Sequence, residues 1–145
     1  MLGYKTYLIM SKGMSMKLTI PFKTVSVNHY KGQRGFRQYL TKEAKEQRLK
    51  IITLLNNNNK ILKELESFKG KELKVYGYIY ENWYNKDGTI KTKDIQNREK
   101  FLLDSIFKSQ PFKSRGLDDK QIFDGVRLIK VQSEIEYAEI YIELE

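Results

Sequence analysis

The stretch KELKVYGYIYENWY, Lys71 to Tyr84, decides the fold because it alternates along most of its length. Leu73, Val75, Gly77, Ile79 and Trp83 fall on one parity and Tyr76, Tyr78 and Tyr80 on the other, the pattern of a strand aromatic on both faces. Asn85-Lys86-Asp87-Gly88 follows with turn chemistry. Upstream, Thr41, Ala44, Arg48, Ile51, Ile52 and Leu55 have helical spacing with Thr41 placed to cap, and Asn56 to Asn59 mark an exit or interruption before Ile61, Leu62 and Leu65. Further upstream, Lys17 to Phe22 (KLTIPF) reads as a short strand ended by Pro21, and Thr24 to Gly35 as a polar, glycine-punctuated loop. Downstream, Asp94 through Ser109 reads as a second helix with Asp94 as its N-cap and Gln110-Pro111 as its stop. The runs Gly125 to Gln132 and Tyr137 to Glu145 read as strands. The order β-α-β-α-β-β predicts an α+β fold, a small mixed β-sheet with two main helices packed on it. Residues 1–15 are expected to form a peripheral N-terminal extension and residues 16–145 a single domain, a size that buries one core. There is no internal repeat.

Charge narrows the chemistry. With 27 Lys/Arg against 18 Asp/Glu the chain carries +9, which draws it to nucleic acid or to an anionic membrane at low salt. The membrane is the weaker option, since the longest N-terminal apolar run, Tyr7 to Met10, falls far short of the roughly 20 residues a spanning helix needs. A cytoplasmic protein is expected. The absence of cysteine excludes disulfides, thiolate zinc sites and cysteine nucleophiles, so any metal would be held mainly by oxygen. Nothing in the sequence asks for an organic cofactor.

Between Tyr84 and Gly116 there are 8 Lys/Arg against 4 Asp/Glu, yet acids cluster here and just beyond, as Asp94 with Asp104 and as the pair Asp118-Asp119. Carboxylates suited to a hard cation, set among lysines suited to phosphates, read as a metal-dependent site acting on a polyanion. Asn97, Lys100 and Asp104 stand at i, i+3 and i+7, one stripe of the second helix. The plainer alternative is a solvated helix face with a capping Asp94, followed by an Asp118-Asp119 turn. From Lys31 to Lys50, 7 Lys/Arg stand against Glu43 and Glu46 and interleave with Tyr30, Phe36 and Tyr39. That mixture suits phosphate contact with stacking on splayed bases, so Lys31, Arg34, Arg37 and Lys42 are candidate DNA contacts. His29, the only histidine, beside Asn28, reads as structural.

Asp94-Ile95-Gln96-Asn97-Arg98-Glu99-Lys100, then Asp104, then Gly116-Leu117-Asp118-Asp119-Lys120-Gln121-Ile122, resembles the signature of RusA-type Holliday junction resolvases. That signature is an acidic D-x-D-N segment opening a helix, a lysine three residues on, another aspartate four beyond, and a downstream D-D pair leading into a strand. Ile20-Pro21-Phe22, Ser26 to Tyr30 and Tyr39 to Lys45 resemble the family's opening strand, Asn-containing loop and first helix, so the likeness covers residues 16–145. The resemblance implies a homodimeric endonuclease, dependent on magnesium with manganese as a substitute, that resolves four-way DNA junctions by paired nicks in recombination and repair in a bacterium or its phage. It implies Asp94, Asp119 and Asp118 as metal ligands and catalytic acids, Lys100 as the essential cation, Lys93 and Arg98 as further DNA contacts, and Asn97, Asp104 and Asn28 in support. Gln96 stands where the pattern has its second aspartate; its amide oxygen can reach a metal but carries no charge. Asp104 or Asp118 would supply that charge. The alternatives are a catalytically impaired junction-binding protein and a basic DNA-binding domain without junction preference.

Overall fold

In the computed structural model the alternating stretch is a central strand. The structure describes residues 15–25, 31–34, 37–93 and 95–145, with residues 31–34 and 37–39 described by their backbone alone. The strands are β1 (Ser15–Ile20), β2 (Lys31–Arg34), β3 (Arg37–Leu40), β4 (Leu73–Glu81), β5 (Ile122–Gln132) and β6 (Tyr137–Leu144). The main sheet runs β1-β6-β4-β5, with β1 and β4 antiparallel to β6 and β5 parallel to β4, so it is mixed as expected. β2, inside the stretch Thr24 to Gly35 that reads as loop, forms a separate antiparallel pair with β3; its residues lack the apolar alternation that announces a strand.

Four helices occur among the described residues rather than two: α1 (Lys42–Asn56), α2 (Asn59–Glu66), α3 (Gln96–Phe107) and α4 (Gln110–Lys113). Capping explains the extra boundaries. The Thr41 hydroxyl accepts from the Ala44 N–H and starts α1, while the Asn58 side chain accepts from the Ile61 N–H and restarts the chain as α2, so the asparagine run is a break between helices. α3 starts at Gln96, with Ile95 in the capping position and no side-chain cap; the Asp94 expected there lies outside the described residues. Pro111, expected to stop this helix, sits instead in the first turn of α4, where its missing N–H costs nothing.

The helices cover one face of the sheet. Met16, Leu18, Ile20, Leu73, Val75, Ile79, Ala138, Ile140 and Ile142 share one buried core with Ile51, Leu55, Leu65, Phe68, Phe101, Leu102, Ile106 and Phe112. Burying each of the larger side chains is worth about 1.5–3 kcal/mol relative to exposure. Gly77 lies on the same parity as Val75 and Ile79, and a Cβ there would stand 2.5 Å from the Glu139 carbonyl oxygen and 2.8 Å from Ile140 Cδ1, so only glycine lets β6 approach. The opposite parity puts Tyr76, Tyr78 and Tyr80 on the other face, where Tyr76 stacks on Tyr141 at 5.0 Å and Tyr80 on Tyr137 at 4.2 Å. No described helix is long and apolar enough to cross a membrane.

One charged pair is buried within this frame. Glu81, at the end of β4, is 1% exposed, and it accepts from Arg98 Nη1 at 2.7 Å and from Nη2 at 3.1 Å. Burial pushes the Glu81 carboxyl up, but the hydrogen bonds and charge of Arg98, joined by Lys93, overcome it and hold the group below its ordinary value. Arg98→Met is therefore expected to lower stability by up to about 3–5 kcal/mol in urea unfolding, because Glu81 stays buried without its bidentate partner and with only the more exposed Lys93 and Lys23 beside it, while adding Glu81→Leu recovers most of the loss. Equal stability of the single variant and the wild type would contradict this. Since the Glu81 value is depressed on folding, its contribution is fully present above the ordinary glutamate range and is lost as pH falls through the lower folded value.

Candidate functional site

The approach to the site is a reversal of the chain after α4. Gly116 takes a φ of +74°, the left-handed region, and the next residue, Leu117, is buried and donates its N–H to the Phe112 carbonyl. A 3-10 turn, Asp119–Gln121, then begins with a reciprocal cap. Asp118 Oδ1 accepts from the Lys120 N–H at 2.9 Å, and Gln121 Oε1 accepts from the Asp118 N–H at 2.8 Å. The Gln121 amide also donates to the carbonyls of Phe68 and Lys71 at 2.8 and 2.9 Å, tying the turn to the connection between α2 and β4. Asp119 is thereby held on a braced turn.

α3 supplies the rest. Gln96, Glu99, Lys100, Leu103 and Asp104 line an open cleft of about 330 Å³ together with Asp119. An adjoining cleft of about 190 Å³, lined by Ile95, Gln96, Glu99, Val126, Arg127 and Leu128, shares Gln96 and Glu99 and carries the groove onto β5. The fold thus brings Asp119, Lys100, Gln96 and Asp104 to one place. Asp104 is also paired with Lys108 at 3.4 Å.

The neighbouring aspartates sit in different environments. The Asp118 carboxyl is held below its ordinary value by the Lys120 N–H and by its contact with Asp119. The Asp119 carboxyl is pushed up, first by burial and then by Asp118. Burial also raises Glu99. Asp118 was expected as a metal ligand, but one of its oxygens is engaged as a helix cap, the use that a plain turn makes of it.

The remaining expected residues divide. Asp94 and Asn28 lie outside the described residues, and Lys31, Arg34 and Arg37 belong to the β2–β3 pair, described by backbone alone. Lys42 opens α1 and is exposed, and Asn97 is half-buried on α3 and is not among the residues that line the cleft. Lys93 reaches Glu81 at 3.2 Å. Arg98, expected at the DNA surface, is 4% exposed with its guanidinium spread across Glu81, so it holds the helix and is not free for a phosphate. Glu99 and Arg127 escaped the sequence reading. Glu99 was within reach of it, because residues 96, 99/100 and 103/104 stand at i, i+3/4 and i+7/8, a broader stripe of the same helix that takes in residues 100 and 104.

Comparison with family models and with curated proteins finds no match to this chain. Among the described residues no three carboxylate or imidazole groups converge closely enough to hold a metal ion by themselves. Asp118→Asn keeps a capping oxygen and removes the charge. Its expected effect, followed by NMR titration of side-chain carboxyl carbons, is a lower Asp119 value that stays above the ordinary one because burial persists. An unmoved Asp119 would mean that the two aspartates are not coupled.

Proposed function

We propose that the chain is a magnesium-dependent endonuclease acting on branched DNA, of the kind that RusA-type resolvases represent. The observation that carries this reading is the convergence of Asp119, Asp104, Glu99, Gln96 and Lys100 on one cleft in a protein of charge +9. Magnesium binds through one or two carboxylates and keeps several waters, so a sparse donor set is what it takes, and a full protein cage is not required. Asp119 and Asp94 would hold the ion, with the Gln96 amide oxygen beside them. When bound, the ion supplies a Lewis acid and a more acidic water for attack on phosphorus. Lys100 is placed to offset negative charge on the phosphate during displacement. Glu99, one turn from Gln96, brings to the same cleft a carboxylate that Gln96 lacks.

A specific observation favours a second reading, a junction-binding protein that has lost catalysis: Gln96 in place of an aspartate, with no described trio of metal-holding groups. Nicking of a synthetic four-way junction in magnesium separates the two. On the leading reading the wild type cuts, and Asp119→Asn and Lys100→Met each lose about 100-fold or more in rate. If the wild type is inert and Gln96→Asp cuts, the second reading replaces the first.

The proposed dimer seat is the open face of the sheet. Tyr76, Tyr78, Tyr80, Tyr137 and Tyr141 are half-buried against one another there. Lys17 pairs with Glu139 at 2.6 Å on that face, and the Tyr76 and Tyr80 hydroxyls donate to Glu143 and Glu139, so it carries both signs of charge, as a self-complementary two-fold surface needs. Sedimentation should give two chains for the wild type and one for Tyr78→Lys with an unchanged melting midpoint. A dimeric variant would remove the face from consideration.

A further inference from the structure

We infer that Lys23 and Lys93 form a docking point for one backbone phosphate of a nucleic acid, at the N-terminal end of α3. Both ammonium groups approach the same oxygen, Glu81 Oε2, Lys23 at 3.9 Å and Lys93 at 3.2 Å. That carboxylate is already committed to Arg98, whose guanidinium takes both of its oxygens. One buried negative charge therefore faces three cations. Glu136, itself about half exposed, approaches Lys23 at 3.7 Å and is the other described carboxylate paired with these lysines. Lys130 adds a fourth cation, lying 4.9 Å from the centroid of the Trp83 ring and donating to the Lys93 carbonyl at 2.7 Å.

The arrangement is held from behind. The Gln47 side chain, buried on α1, donates to the Lys23 carbonyl at 2.9 Å and accepts from the Val25 N–H at 3.0 Å. Lys130 fixes the Lys93 carbonyl in the same way. The backbones of both lysines are thus tied down, while their side chains remain 41% and 34% exposed and open to solvent. The Lys23 ammonium is pushed below its ordinary value, first by Lys93 and then by burial, which is the mutual repulsion expected of two cations short of counter-charge. A phosphate oxyanion accepting from both would relieve that repulsion, and its compact tetrahedron of acceptors suits two converging point donors. α3 carries the cleft residues Gln96 and Lys100, so a strand anchored here lies beside the groove.

The inference rests on the nucleic-acid reading only for the source of the phosphate. Its test measures binding of a labelled linear duplex and of a four-way junction across a salt series, without magnesium, using Lys23→Met, Lys93→Met, the double variant, and Lys60→Met on α2 as control. The double variant is expected to bind both DNAs more weakly. The slope of log affinity against log salt should fall by about 0.9, the share of a single phosphate that is no longer neutralised. Lys60→Met should leave the slope alone, and arginine at both positions should restore it. An unchanged slope in the double variant, with its melting midpoint intact, overturns the inference even if the junction is preferred. A reduced slope with equal affinity for duplex and junction upholds it while the junction reading fails. Absence of binding to either DNA overturns both.

Discussion

The buried pair of Glu81 and Arg98 sets the rotation of α3, and the cleft follows from that rotation. Successive helical residues turn by about 100°, so with Arg98 aimed inward at the end of β4 the residues near the opposite azimuth are fixed. These are Gln96, Lys100 and Leu103, with Glu99 and Asp104 at their flanks, the set that meets Asp119 across the groove. Slipping the helix by one residue would carry Lys100 off the groove and take from Glu81 the bidentate guanidinium that engages both of its oxygens. Such a pair adds little net stability over a well-packed apolar one, because desolvating two charges costs nearly what their attraction returns. Its effect is to penalise every other rotation of the helix.

Much of the architecture was legible in the sequence because local rules decided it. Alternation from Leu73 to Glu81 gave the central strand, Thr41 gave the start of α1, and the downstream apolar runs gave β5 and β6 to within a few residues. Gly77 already stood on the buried parity, and so did Glu81, whose charge there was the one visible sign of a buried ion pair. What stayed hidden required a partner far along the chain. Nothing local says that Arg98 turns inward while Lys100 turns outward, since both sit one turn from acids on a helix of mixed polarity. The β2–β3 pair and helix α4 were missed for different reasons, the first for lack of apolar periodicity and the second because a proline serves a helix start as well as a stop.

Environment also separates groups that the sequence presents as equals. Asp118 and Asp119 are adjacent and chemically identical, yet a backbone N–H holds one ionised while burial favours the protonated form of the other. A cation arriving at Asp119 would therefore displace a proton more readily held than usual, which ties affinity to pH in a way that Asp118 would not. Lys108, at the C-terminal cap of α3, pulls the Asp119 value down but does not cancel this effect, because burial and Asp118 outweigh it.

Placing the helices on one face of the sheet has a geometric consequence for a two-fold assembly. The groove lies between α3, the Asp119 turn and β5, at one edge of the sheet, whereas the stacked tyrosines occupy the face that the helices leave open. Two chains joined through their tyrosine faces would keep both grooves outside the contact and related by the two-fold axis. A substrate with two equivalent phosphates could then meet two equivalent sites without either chain rearranging. Joining through the groove edge would instead bury Lys100 and Asp119 against their copies, bringing like charges together at the cost of the site itself. The separation of the aromatic face from the charged edge, fixed by the parity of β4 and the rotation of α3, is what makes the first arrangement the compatible one.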